Sequence, residues 1–222
     1  MTTLNENTGI DLIFKSRKGI IEMLEYRGYD VSDYSSFTKQ EIILLYEKNT
    51  SKYLTSAEIG PLDIIVKNKE GAKIFVKYKL DEKFKKSKVL NQIILNIYDK
   101  HLKETDEVII LVIKRDIFKP HKKDSSVELV EDMFFENHNL FIQIFGLENF
   151  LFNIMKHKMM PKHQKMSNKE VNELLEKYKV NKKQLPTIRR ADPPIKYMGL
   201  KIGDICKIDR FTGEIIYRLV SE

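Results

Sequence analysis

A single cysteine, Cys206, stands in 222 residues, and tryptophan is absent. One thiol excludes an intrachain disulfide and leaves no thiolate cluster for zinc. The five histidines, His101, His121, His138, His157 and His163, show no H-x-x-x-H spacing, so neither a metal nor another cofactor is expected. No apolar run approaches the roughly 18 residues that span a bilayer, so no membrane partner is expected. Met1 to Asn7 lacks the basic and apolar regions of a secretory signal, and a reducing compartment is expected. Walker, GxGxxG and GxSxG patterns are missing, which removes the commonest nucleotide-binding and serine-hydrolase arrangements.

What is present is a globular composition, 42% apolar and 32% charged, long enough for one large domain or two small ones. The net charge of +7 is unevenly placed. Residues 151–222 carry 16 Lys and Arg against 8 Asp and Glu, while residues 1–150 carry 23 against 24. The last third therefore holds the whole basic excess, and such a block meets either phosphates or an acidic protein surface. Lysine dominates, 32 to 7 over arginine. That ratio suits diffuse attraction better than base-edge reading, which favours arginine.

The periodicity predicts a helix from Gly9 to Arg27, stopped by Gly28, and a second helix opened by the capping box Thr38-Lys39-Gln40-Glu41. Leu62 to Lys67 and Lys73 to Leu80 flank Asn68-Lys69-Glu70-Gly71 and read as a hairpin. A helix over 84–102 follows, then a central strand from Val108 to Ile113. A box at Ser125 to Glu128 opens another helix, and Leu140 to Phe145 is a further strand. This order implies an α/β (α+β) layer on one mixed sheet. Leu147 to Met155 fits a helix or a strand. Residues 156–166 turn basic, with few core residues, and mark the boundary between domains 1–155 and 156–222. Beyond it, Ser167-Asn168-Lys169-Glu170 opens a helix, Asp192-Pro193 starts a short one, and strands 204–209 and 214–219 form a hairpin around Arg210 to Gly213.

The one pattern with catalytic chemistry lies in the first hairpin. Asp63 followed by Lys77-Tyr78-Lys79 resembles the carboxylate and acid-x-Lys arrangement of restriction-endonuclease-like enzymes, whose helix and strand order also fits. Phosphodiester hydrolysis of that kind uses two carboxylates on Mg²⁺ and a lysine near the water. Lys77 stands where the second carboxylate belongs, and a cation there repels the metal. A metal-dependent nuclease is the alternative this leaves, against the plainer reading of Asp63 and Lys79 as strand-end and solvent-face residues. Cys206 alternates with Ile205 and Lys207 as a small core residue. His157 and His163 read as solvated or capping side chains. Lys83, Lys85, Lys86 and Lys88 form either a solvated face or a helix start turned to nucleic acid.

Over the last 66 residues a family resemblance emerges. His157, Pro161-Lys162-His163, Val171 to Tyr178, Gln184-Leu185-Pro186-Thr187-Ile188, Asp192-Pro193, Tyr197 to Asp204 and Ile216 to Val220 occur in one order. Together they resemble the assembly domain of the fifth subunit shared by eukaryotic nuclear RNA polymerases, which has an archaeal counterpart. Arg17-Lys18, Met23-Leu24 and Arg27-Gly28-Tyr29 resemble the start of the eukaryotic subunit's jaw domain, a region the archaeal counterpart lacks.

The resemblance implies a noncatalytic polymerase subunit, with a nuclease-like jaw lacking a complete active site and a small α+β assembly domain. By that likeness the C-terminal domain docks on the largest subunit, and the jaw stands beside downstream double-stranded DNA, touching it weakly and without sequence preference. Candidate interface residues are Pro186, Tyr197, Lys201, Arg210, Tyr217 and Arg218. Candidate DNA contacts are Lys83, Lys85, Lys86 and Lys88. Lys196, Pro194 and a shortened 210–213 hairpin depart from the family pattern, which fits a divergent eukaryote or the polymerase of a large DNA virus. The expected location follows: the nucleus in the first case, a cytoplasmic viral factory and virion in the second. The hairpin 204–219 is also expected to expose an edge for a partner.

Overall fold

The computed structural model describes residues 6–49, 53, 56–80, 88–112 and 126–222. They fall into two compact units, Met1–Phe152 and Asn153–Glu222.

In the first unit, helices α1 (Glu6–Tyr26) and α2 (Lys39–Lys48) precede strands β1 (Ile64–Lys67) and β2 (Lys73–Lys79). Then come α3 (Lys88–His101), β3 (Glu107–Val112), α4 (Ser126–His138) and β4 (Phe141–Gly146). The expected α2 box forms: the Thr38 side chain accepts from Glu41 N at 3.2 Å, and Glu41 reaches back to Thr38 N. The strands lie in the order β1-β2-β3-β4, antiparallel at the hairpin and parallel thereafter.

Period-two alternation splits this sheet into two faces. Phe75, Val108, Ile110, Ile142 and Ile144 cluster with Leu90, Ile93, Ile94 and Ile97 of α3 and Val130 and Phe134 of α4. The opposite residues, including Ile109 and Leu111, are equally buried. That two-sided burial explains why β3 is nearly continuous in apolar residues. Truncation of one such residue, Ile110→Ala, costs about 2–5 kcal/mol.

Residues expected to form a helix or strand at 147–155 do neither. They make 3-10 turns at Leu147–Phe150 and Ile154–Lys156. The first lies so close to α1 that a Cβ on Gly19 would come within 2.3 Å of the Phe150 carbonyl oxygen. Only glycine fits that approach.

The second unit holds β5 (Lys162–Lys165), α5 (Asn168–Tyr178), β6 (Thr187–Arg189), α6 (Pro193–Met198), β7 (Ile205–Asp209) and β8 (Ile215–Ser221). Its sheet runs β5-β7-β8-β6. This corrects two expectations. Residues 156–166 are not a plain basic linker, because β5 forms within them and His163 is buried. Nor does the hairpin β7-β8 offer an edge: β5 pairs antiparallel with β7, and β6 pairs parallel with β8. The helix α5 packs Val171 and Leu174 on one face around Ile205, Tyr217 and Leu219. Ile195 of α6 packs with Cys206, Ile208 and Val220 on the other. Gly213 closes the hairpin turn at φ +83°, a conformation costly for any residue with a Cβ.

Candidate functional site

In the first unit, the register Ile64↔Val76 sets Asp63 opposite Lys77, and Lys77 in turn lies beside Ile110, which pairs with Ile144. The row is fully buried, so both charged side chains leave water together. Lys77 Nζ donates to Asp63 Oδ2 at 2.8 Å and to the Glu58 carbonyl at 2.7 Å. Asp63 also accepts from Gly60 N at 2.7 Å and Tyr78 N at 2.9 Å. Burial pushes the Asp63 carboxyl above its ordinary range, opposed by the Lys77 ammonium and the two backbone N–H groups. Three donors of the protein itself thus hold this carboxylate, two on Oδ2 and one on Oδ1.

Asp63, Lys77 and Lys79 are only 5%, 2% and 7% exposed. Asp63 and Lys79 do stand at strand ends, just before β1 and at the last residue of β2, but neither faces solvent; the 56–63 segment folds over this end of the sheet, where Ala57 joins the core and its carbonyl contacts the His101 ring at 3.2 Å. Among the described residues, no group of three or more His, Cys, Asp or Glu side chains gathers in a metal-holding arrangement.

Arg17 of α1 and Arg27, just past its end, are internal too. Arg17 donates to the Leu62 carbonyl at 2.7 Å and lies between 5.7 and 5.9 Å from the rings of Tyr34, Phe37 and Tyr78. Such cation–π contacts compensate a buried guanidinium. Arg27 donates to Gln143 Oε1 at 2.7 Å and pairs with Glu107 at 3.6 Å. Thus Arg17 and Arg27, which carry part of the resemblance, build the first unit from within.

Of the candidate DNA contacts, Lys83, Lys85 and Lys86 lie outside the described residues, and Lys88 is the first residue of α3. The candidate interface residues all fall in the second unit. Pro186 and Arg210 are exposed, Lys201, Tyr217 and Arg218 are half-buried, and Tyr197 is buried. Tyr217 packs against the α5 cluster. Arg218, on the other face, donates to the Thr187 carbonyl at 3.3 Å. Arg210 lies 3.8 Å from Glu214, exposed on both sides and worth little to stability. His163 Nδ1 is 2.8 Å from the Pro161 carbonyl, and His157 Nδ1 accepts from Met159 N. Cys206 is fully buried, and its surroundings push the thiol up to about 11.

The second unit is also where known proteins match most strongly. The family described as RNA polymerase Rpb5, C-terminal domain, matches residues 152–220. Over 75 residues the chain is 51% identical to the DNA-directed RNA polymerase subunit Rpo5 of Pyrococcus horikoshii, covering 32% of this chain and 92% of that protein. The chain belongs to the Rpb5 family of RNA polymerase subunits.

The likeness extends beyond that module. Subunit 5B of the DNA-directed RNA polymerases IV and V of Arabidopsis thaliana is 25% identical over 213 residues, 94% of this chain and 89% of that protein. Subunit 5A of RNA polymerase V from the same plant is 28% identical over 203 residues, 91% and 82% of the two chains. As an Rpb5-family member, the chain is a noncatalytic structural component of a multisubunit DNA-directed RNA polymerase. Among its described residues, no helix is long and apolar enough to cross a membrane.

Sequence reasoning missed the strands β5 and β6 and the internal places of Arg17 and Arg27. β5 reads Lys162-His163-Gln164-Lys165 and β6 spans only three residues, so neither carries an apolar alternation. The arginines gave no local signal, since their partners lie 45 and 116 residues away.

Proposed function

We propose that this Rpb5-family chain is held in its polymerase by residues 153–222 docking on the largest subunit, and that its N-terminal unit works as a jaw beside downstream double-stranded DNA. The observation that carries the docking half is that a third of this chain matches 92% of an archaeal subunit, while the family's C-terminal domain falls on residues 152–220. A module that makes up nearly the whole of that protein is the part that must attach it. Pro186, Arg210 and Arg218 are the side chains we assign to the contact, with Tyr217 and Lys201 at its margin and Tyr197 supporting it from beneath.

The helix and strand order of the first unit, with a mixed four-stranded sheet, supports a restriction-endonuclease-like fold for the jaw. Its centre is closed by an ammonium where such enzymes hold a metal, so the jaw touches DNA without cutting it. Lys83, Lys85, Lys86 and Lys88 remain the assigned DNA contacts. Near-neutral charge keeps the jaw's own affinity low, and the polymerase supplies the effective concentration. Pro194, Lys196, the short 210–213 turn and the lysine-rich composition fit two sources, a large DNA virus's polymerase working in a viral factory and virion, or the nuclear polymerase of a divergent eukaryote. The test is affinity capture of the tagged full-length chain from its source cells. The largest polymerase chain is expected among the captured proteins, and its absence would overturn the docking assignment.

A further inference from the structure

The basic excess of the second unit is itself concentrated. From Lys177 to Arg190 there are six cations, Lys177, Lys179, Lys182, Lys183, Arg189 and Arg190, and no Asp or Glu. Arg190 is buried, but the other five are exposed. They run from the last turn of α5, through a 3-10 turn at Lys182–Gln184, into β6, an edge of the sheet. Lys179 caps α5 at φ 52°, a left-handed position where glycine is the usual residue.

Elsewhere in this unit, three surface cations hold carboxylates, Lys165 with Asp204 at 2.7 Å, Lys207 with Asp209 at 3.7 Å and Arg210 with Glu214 at 3.8 Å, while the exposed Lys158, Lys162 and Lys169 stand apart from one another in sequence rather than in a run. Among the described residues, no ion pair reaches Lys177, Lys179, Lys182, Lys183 or Arg189. Lys177 and Lys179 complement the negative end of α5. Lys182, Lys183 and Arg189 lie beyond it and have no such role.

We propose that Lys177, Lys179, Lys182, Lys183 and Arg189 form a ridge that binds the phosphate backbone of nucleic acid. The ridge goes beyond the reading above, which places DNA beside the other unit only. Two observations favour phosphates over an acidic protein. Lysine is depleted from protein interfaces, which rely on a packed apolar centre, and along this ridge only Tyr178, 56% exposed, is a large bare apolar side chain. Its ring is also within 5.6 Å of the Lys177 ammonium, a pairing of aromatic face and cation that suits base stacking beside a phosphate.

Fluorescence anisotropy of a labelled random-sequence duplex with the full-length chain, titrated across salt, tests this. Because each phosphate contact contributes about 0.9 to the slope of log K against log salt, replacing Lys177, Lys179, Lys182 and Lys183 together by Gln is expected to reduce the magnitude of the slope by about 3.6. Binding at low salt falls at least ~10-fold on the same basis. The control, Lys165→Gln with Lys207→Gln, is expected to stay near wild type. An unchanged slope in the first variant, an equal loss in the control, or displacement of the duplex by polyglutamate as readily as by unlabelled DNA would each overturn the proposal. Should the fourfold variant lose its thermal transition, Lys182→Gln and Lys183→Gln singly, each expected to reduce the slope by about 0.9, decide the question.

Discussion

The ammonium of Lys77 lies 2.8 Å from Asp63 Oδ2, with both side chains no more than 2% exposed. The pair closes the one constellation with catalytic chemistry in the chain, and it also ties the 56–63 segment to β2 through the Glu58 carbonyl. Each charge is tolerable only because the other is present.

Asp63→Ala should therefore strand a buried ammonium and destabilise the protein by about 3–5 kcal/mol. Replacing both, as Asp63→Leu with Lys77→Met, should recover most of that loss. Urea unfolding followed by circular dichroism measures both variants. Equal stability of wild type and Asp63→Ala would remove the pair from the structural role given to it.

The same closure predicts no metal-dependent nuclease. Purified protein with Mg²⁺ or Mn²⁺ should leave DNA and RNA intact, because the Lys77 ammonium 2.8 Å from Asp63 repels a metal and stands where the second carboxylate ligand is needed. Cleavage abolished by Asp63→Ala would contradict this.

Much of the architecture was legible because it is local. The boxes at Thr38 and Ser167 place two helix starts, and the turn Arg210 to Gly213 between apolar runs at 204–209 and 214–219 places the last hairpin. What stayed hidden is nonlocal. Lys79 looks like a solvent-face residue because alternation gives only sidedness, and the 56–63 cover belongs to another part of the chain. β5 looks like a linker because its residues, Lys162 to Lys165, are all polar and its pairing energy comes from β7. At the candidate site, the missing second carboxylate was visible in the sequence as Lys77, whereas the ion pair it makes with Asp63 was not.

Cys206 gives a prediction about pH. Burial raises its thiol from the ordinary 9.0 to about 11, so the folded state keeps the proton that the unfolded state has lost. Stability is therefore full below pH 9 and falls as pH rises from 9 towards 11. Burial likewise raises Tyr29 and Tyr98, which add to the loss at the upper end. Melting temperatures across this window should fall more gently for Cys206→Ala, and a thiol reagent at about pH 8, below the ordinary thiol range, should react only after unfolding. A freely reactive native thiol would show that the β7 face is open.

Arg218 separates assembly from folding. It is half-buried and spends one guanidinium nitrogen on the Thr187 carbonyl, leaving donors for a carboxylate of the partner. Arg218→Ala should weaken association by about 2 kcal/mol or more if it is an interface anchor. The circular dichroism of the free chain should be unchanged. Normal incorporation of the variant would take Arg218 out of the contact, and an unfolded variant would place it in the module's own structure.

The most direct test of attachment through the C-terminal module is to express residues 153–222 and residues 1–152 separately, each tagged, in the source cells and to identify by mass spectrometry what each retains. Residues 153–222 are expected to retain the largest polymerase chain, and residues 1–152 to retain none. Capture of the polymerase by residues 1–152 and not by 153–222 would contradict that attachment.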